Sequence, residues 1–312
     1  MYRTRLCWNL VLVLAVCVGA LGGTAQAEPV KCRAAIAKSS AGFAQAKLKA
    51  RLKCQEVTVK GKPIADFNAC QAKADAAIDK AQTKAKTNIA KACGGKDKLC
   101  GTSDEGEDTV TGIGWNIGTC PDFESKGCDD PINDCNDIGN CVTCIGEQAV
   151  DQAISLYYGS LNLPSTADKV LNKCQLAIGK NAAAFFSAKS KALQKCWDKV
   201  NKNAAKGLPT TPCPPFGSGD GKAQGAIDKA SIKIETAICK ACGGTDKACR
   251  GADDLLVTEI GFPSTCPFVT APGTAPKACG GAILSVPGIV DCVDCVSEFK
   301  VDCLSLAAAT GI

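Results

Sequence analysis

The sequence predicts a mainly α-helical protein made of two tandem homologous domains. Each is a disulfide-clipped helical hairpin followed by an irregular, acidic, Cys-rich segment and a terminal helix. Three observations lead there. The chain holds 23 cysteines in 312 residues, and most of them recur twice in one order. The stretches 77–100 (AIDKAQTKAKTNIAKACGGKDKLC) and 226–249 (AIDKASIKIETAICKACGGTDKAC) agree at 16 of 24 positions. Ahead of each lies a run rich in Ala, Lys and Gln, residues of high helix propensity, with apolar residues returning at helical intervals.

A period of roughly 145 residues is too long for a solenoid repeat and fits a domain. It divides the chain into 28–163 and 164–312, meeting near Pro164. Residues 1–27 read as a signal peptide: Arg3 and Arg5, an apolar run from Trp8 to Leu21, then Ala25-Gln26-Ala27 as an A-x-A cleavage site. That run is short of the roughly 20 residues a spanning helix needs. Cleavage near Ala27 and release to a periplasmic or extracellular space are therefore expected. In such a space disulfides persist.

Each element follows from local pattern. Cys32, Ile36, Phe43 and Cys54 share one face of a first helix. Cys32 and Cys54 are about six turns, or ~33 Å, apart on a continuous helix, too far to bond each other. A second helix, from about Pro63 to Cys93, carries Cys70 and Cys93 at nearly the same separation. Antiparallel packing then pairs Cys32 with Cys93 and Cys54 with Cys70. Cys174, Ile178, Phe185 and Cys196 repeat the first face in the second copy. The same logic pairs Cys174 with Cys242 and Cys196 with Cys213 there, with a Pro/Gly-rich run, 207–221, lengthening the inner loop. Gly94-Gly95 and Gly243-Gly244 stop the second helices as C-caps. Short strands are expected at Val110–Ile113 and Val257–Ile260, and terminal helices at Cys141–Tyr158 and Cys292–Ala309. The clips matter because the apolar fraction is mainly Ala and Cys, with 5% aromatics; such side chains bury little area each.

Spacing leaves the other cysteines unassigned. In the first copy Cys100, Cys120, Cys128, Cys135, Cys141 and Cys144 allow fifteen connectivities. In the second, Cys239, Cys249, Cys266, Cys279, Cys292, Cys295 and Cys303 are odd in number. One thiol is expected to be free or to pair between chains, and Cys239, Cys249 and Cys303 are the candidates.

Charge is sorted within each copy. Residues 28–99 hold 16 Lys/Arg against 6 Asp/Glu, and 100–160 hold 1 against 12. The second copy repeats this, with 15 against 6 over 161–250 and 2 against 7 over 251–312. Lysines on Ala-rich helices solvate their outer faces. They also offer a surface for a polyanion or an envelope component. Sequence-specific nucleic-acid binding is disfavoured, because aromatics do not interleave with the lysines and Arg is scarce. The dipolar repeat also permits self-association.

The chain has no histidine, which excludes serine–histidine catalysis. Haem attachment is excluded as well, since Ile145 and Val296 follow the CxxC pairs Cys141/Cys144 and Cys292/Cys295. Those pairs have redox spacing without the βαβ setting that would support it. Asp129, Asp130, Asp134 and Asp137 cluster oxygen ligands in a turn-forming loop, as a calcium site requires, but off EF-hand spacing. Beyond calcium the sequence implies no cofactor. Lys173-Cys174-Gln175, Ile178-Gly179-Lys180, Lys195-Cys196 and the ACGG turn resemble a repeat of secreted Cys-rich bacterial proteins. That resemblance brings no activity or site residues; Arg33 stands where the pattern has Gln175. The expected function is a secreted, non-enzymatic structural or interaction protein. The rival readings are a polyanion- or calcium-binding module and a CxxC thiol–disulfide protein.

Overall fold

A computed structural model describes residues 5–6, 28–102, 106–162 and 168–310. The signal-peptide reading of 1–27 (Arg5–Leu6 apart) and the junction near Pro164 lie outside these residues. Helix-forming composition builds α1 (Glu28–Val59) and α2 (Ile64–Cys93), an antiparallel pair turned at Gly61 and restarted after Pro63. In the second copy α4 (Lys169–Ala204) and α5 (Lys222–Cys242) form the corresponding pair. The terminal helices are α3 (Cys135–Tyr158) and α7 (Val286–Thr310), with one short turn, α6 (Val257–Ile260), before the latter. The fold is mainly helical, as the composition requires.

Four boundaries differ from expectation, the first being that α7 starts at Val286 and not at Cys292. Residues 110–113 form turns instead of a strand: Thr109 Oγ1 accepts from Gly112 N, and Val110 O accepts from Trp115 N. Val257–Ile260 is α6 rather than a strand; Glu259 accepts from Leu256 N at its start, and Gly261 (φ 76°) ends it. A side chain at Gly261 would strike the Asn162 backbone. α3 starts at Cys135, earlier than expected, because Asp134 caps it, accepting from the backbone N–H of Asn136 and Asp137. The strands are elsewhere. β2 (Thr265–Ala271) and β3 (Lys277–Ala282) make a bulged antiparallel hairpin in the second copy, and β1 (Arg5–Leu6) runs parallel to β2.

One hydrophobic core contains residues from both copies, among them Ile36, Leu48, Ile138 and Val142 of the first, and Ile178, Phe186, Val293 and Phe299 of the second. Polar ties join the copies across it. The Tyr157 and Ser297 hydroxyls lie 2.6 Å apart, and burial raises the Tyr157 pKa, so the phenol stays neutral. Lys300 Nζ donates to Glu124 at 2.7 Å, with both side chains buried. Tyr158 packs directly on Gly179 of α4, where a Cβ would collide with its ring.

Candidate functional site

The cysteines come first, because they position everything else. The outer ends of the hairpins are joined by Cys32–Cys93 and Cys174–Cys242, each with Cα atoms 4.8 Å apart. The inner ends are joined by Cys54–Cys70 and Cys196–Cys213. Four further bridges bind the irregular segments to the terminal helices: Cys120–Cys141 and Cys128–Cys144 in one copy, Cys266–Cys292 and Cys279–Cys295 in the other. Each cysteine of a CxxC pair is therefore bonded to a different loop cysteine and not to its neighbour. Neither CxxC pair forms the disulfide within the motif that redox exchange would use.

Cys100 and Cys249 are equivalent in the repeat, yet they bond differently. Cys100 reaches forward to Cys135, whereas Cys249 turns back to Cys239 on α5. Sequence parity pointed to an unpaired thiol among Cys239, Cys249 and Cys303. The structure removes two of these candidates, since Cys239 and Cys249 bond each other, and Cys303 is disulfide-bonded as well; the odd count over 28–312 is unchanged. Among the described residues no cysteine is a free thiol.

The acidic loop does not assemble a cation site. No three of Asp129, Asp130, Asp134 and Asp137 bring ligand oxygens within 4.8 Å of one another. Two of them serve the backbone. Asp134 caps α3, and Asp137 accepts from Asn133 N at 2.8 Å. The Cys120 backbone N–H donates to the Asp130 carbonyl, which fixes the loop and turns no carboxylate inward.

Two arrangements went unread in the sequence. Lys47 lies 15 residues after Cys32, and Lys189 lies 15 after Cys174. Both are buried, and both meet a Glu and an Asp one turn apart on the terminal helix. Lys47 Nζ donates to Glu147 at 3.3 Å and Asp151 at 2.8 Å. Lys189 Nζ lies 3.4 Å from Glu298 and 2.9 Å from Asp302. In the second copy the chain of charges continues, with Lys277 Nζ 2.8 Å from Glu298 and 3.5 Å from Asp294. Burial pushes the Asp302 carboxyl up to about 6 despite Lys189 beside it. Burial, with Glu298 nearby, also raises Asp294. The signal was present as Glu-x3-Asp at one register in both copies.

The second arrangement anchors each hairpin. Arg33 Nε donates to the Ile113 carbonyl at 2.9 Å. Gln175, its counterpart, donates from Nε2 to the Ile260 carbonyl at 3.0 Å. The Arg-for-Gln difference thus preserves one contact, a side-chain donor reaching an equivalent carbonyl.

Two lysine-edged clefts flank the second hairpin. One, of about 470 Å³, lies where α4 and α5 approach the 207–221 loop, with Lys191, Lys195, Lys199 and Lys222 on its rim. The other, of about 580 Å³, is an open groove edged by Lys60, Lys169, Lys173, Lys180 and Lys240. Lys199 pairs with Asp220 at 3.0 Å, which holds that carboxyl below its ordinary pKa. Glu56 approaches Lys60 and Lys180 at 3.1 and 3.5 Å. Among the described residues neither cleft has an aromatic lining.

Comparison with known proteins finds no family model that matches the chain, no similar curated protein and no similar solved structure. Among the described residues no helix is long and apolar enough to cross a membrane. Ten described disulfides fit a disulfide-stabilised protein of an extracellular setting.

Proposed function

We propose that the chain is a secreted, non-enzymatic interaction protein of the cell envelope or extracellular space, released by cleavage near Ala27. In this reading its two tandem copies are related to the secreted Cys-rich bacterial proteins that the K-C-Q hairpin of the second copy resembles. The observation that carries the proposal is the division of labour among cysteines. Four clip hairpin ends that Ala-rich helices hold only weakly, and the CxxC cysteines tie loops to the terminal helices. On the chain-entropy model a clip closing a 16-residue loop contributes about 3 kcal/mol and one closing 68 residues about 4. An oxidising compartment is required for such a design. With histidine absent and the CxxC thiols bonded outward, the residues support durability and surface recognition rather than turnover.

The test is a native mass map with thiol alkylation before and after reduction, alongside thermal melting. Expected are the ten cross-links described above, no alkylation within either CxxC, and a large fall in melting temperature on reduction. Rapid alkylation of Cys141 and Cys144, or of Cys292 and Cys295, in the native protein would sink the reading in favour of a redox role.

A further inference from the structure

We infer that the α4–α5 hairpin binds a linear polycarboxylate, specifically an acidic polysaccharide, laid along both lysine-edged clefts. The inference rests on the interaction-protein reading and adds the chemical class of the partner. At 3.6 residues per turn, Lys169, Lys173, Lys180, Lys191, Lys195 and Lys199 fall within about 120° of arc on α4. Lys189, the lysine of the buried ion pairs, points roughly 140° from the centre of that stripe. On α5, Lys222, Lys229, Lys233 and Lys240 occupy about 40° of arc, with Asp228 and Glu235 on the other side. Each stripe is the solvent-facing side of its helix, opposite the buried face. Here one side of each helix is basic, and the two basic sides meet at the clefts.

Length identifies an extended ligand. Lys173 in one cleft and Lys195 in the other are about 33 Å apart along α4, and Lys229 and Lys233 bridge the interval on α5. A small anion would occupy one cleft; a chain engages both, and the second contact is then intramolecular. Chemistry selects the kind of chain. Ammonium groups are point charges with rotatable donors, suited to repeated carboxylates, whereas planar bidentate recognition of phosphate favours Arg. Single-stranded nucleic acid would use aromatic stacking platforms, and neither cleft has an aromatic lining among the described residues. The floors are formed by small and aliphatic groups, such as Ala188 and Val200 in one and Leu176 and Ala177 in the other, which allow close approach of a sugar chain.

The experiment is titration of the full processed protein with trigalacturonate and dodecagalacturonate in 0.15 M NaCl, with a single-stranded oligonucleotide of equal charge beside them. The dodecamer should bind at least tenfold tighter than the trimer, and tighter than the oligonucleotide. The triple variants K173Q/K180Q/K240Q and K191Q/K195Q/K222Q, one per cleft, should each weaken dodecamer binding at least tenfold and flatten its salt dependence. K73Q/K80Q/K84Q removes the same charge from exposed positions on α2 and should change affinity less than threefold. Equal losses in all three variants would reduce the effect to net charge and overturn the proposal, as would the absence of a length effect. Tighter oligonucleotide binding would replace the polysaccharide with nucleic acid. Unchanged melting and disulfide maps of the variants separate loss of this site from failure of the interaction-protein reading.

Discussion

Lys47 and Lys189 occupy the same place in two copies of one sequence, but their surroundings differ. Both ammonium groups are buried. The partners of Lys47 are partly exposed, with Glu147 and Asp151 side chains at 37% and 50%. The Asp302 partner of Lys189 is 2% exposed, and Glu298 is 19%. The cause is the environment of the terminal helix. α7 packs against α1, α3, α4 and α5 and beneath the β2–β3 hairpin, while α3 keeps a solvent edge. The same pair of carboxylates is thus partly solvated in one copy and enclosed in the other, around an ammonium buried in both. A buried ion pair is held by its geometry and costs most when only one partner is removed.

The largest effect expected from that contrast is on stability. K189M leaves Asp302 buried without its cation and should cost about 3–5 kcal/mol. K47M leaves two solvated carboxylates and should cost about 1 kcal/mol or less. Urea unfolding under non-oxidising, non-reducing conditions reads both. If K189M does not fold, K189M/D302M provides the check, because replacing both charges with apolar groups should recover most of the loss. Equal costs for K47M and K189M would erase the distinction between the copies.

Cystines give the second contrast. Ala90 stands in the first copy where Cys239 stands in the second, and Cys135 stands opposite Val286. The loops after both hairpins fold back alike. A Cβ at Gly94 would strike Leu99 and Ala90, and one at Gly243 would strike Cys249 and Cys239. Only the second thiol has moved. Chain entropy assigns about 4 kcal/mol to Cys100–Cys135, which closes 35 residues, and about 3 to Cys239–Cys249, which closes 10. C135V should therefore lose about 4 kcal/mol, and adding A90C should restore about 3 by bonding position 90 to Cys100. Mass mapping and melting test this together. A position-90 thiol that stays alkylatable would show that the two loops are not interchangeable.

These comparisons mark where the sequence was readable. Helical periodicity and composition made the hairpins legible, and near-equal cysteine separations lead to the four end clips because antiparallel helices bring equal offsets together. The loop bridges were not legible, because short cysteine spacings in irregular chain carry no such geometry. Parity gives an odd count over 28–312 but does not place the odd cysteine, since the Cys239–Cys249 bond closes within one copy where homology offers no counterpart. The acidic loop was read as ligands, although Asp134 was better placed as an N-cap before a helix that starts at Cys135. Val110–Ile113 and Val257–Ile260 look like strands by β-branched content, yet side-chain capping and Gly261 override propensity. Burial of Lys47 and Lys189 was invisible, because a lysine on a basic helix reads as solvated until the facing carboxylates are known.

The smallest expected effect sharpens the first contrast through pH. In the folded protein burial holds the Asp302 carboxyl up to about 6; Glu298 adds repulsion, and Lys189 only partly offsets both. A folded-state value above the unfolded one means that the native state binds this proton more tightly. The contribution favours folding while Asp302 is protonated and is lost as pH rises through about 6. Going from pH 7 to 5, the protein should gain about 1 kcal/mol from this group. Asp294, also raised by burial and by Glu298, adds in the same direction. Further acidification reverses the trend. Glu298 is half-buried, but Lys189 and Lys277 together hold its pKa down, so its contribution is lost as it protonates. Stability should therefore peak in the mildly acidic range. D302N should flatten the gain between pH 7 and 5 and D151N should leave it in place, both read from urea midpoints at each pH. A D302N protein that keeps the full slope would place the titrating group elsewhere, and the enclosed charges of the second copy would no longer distinguish it from the first.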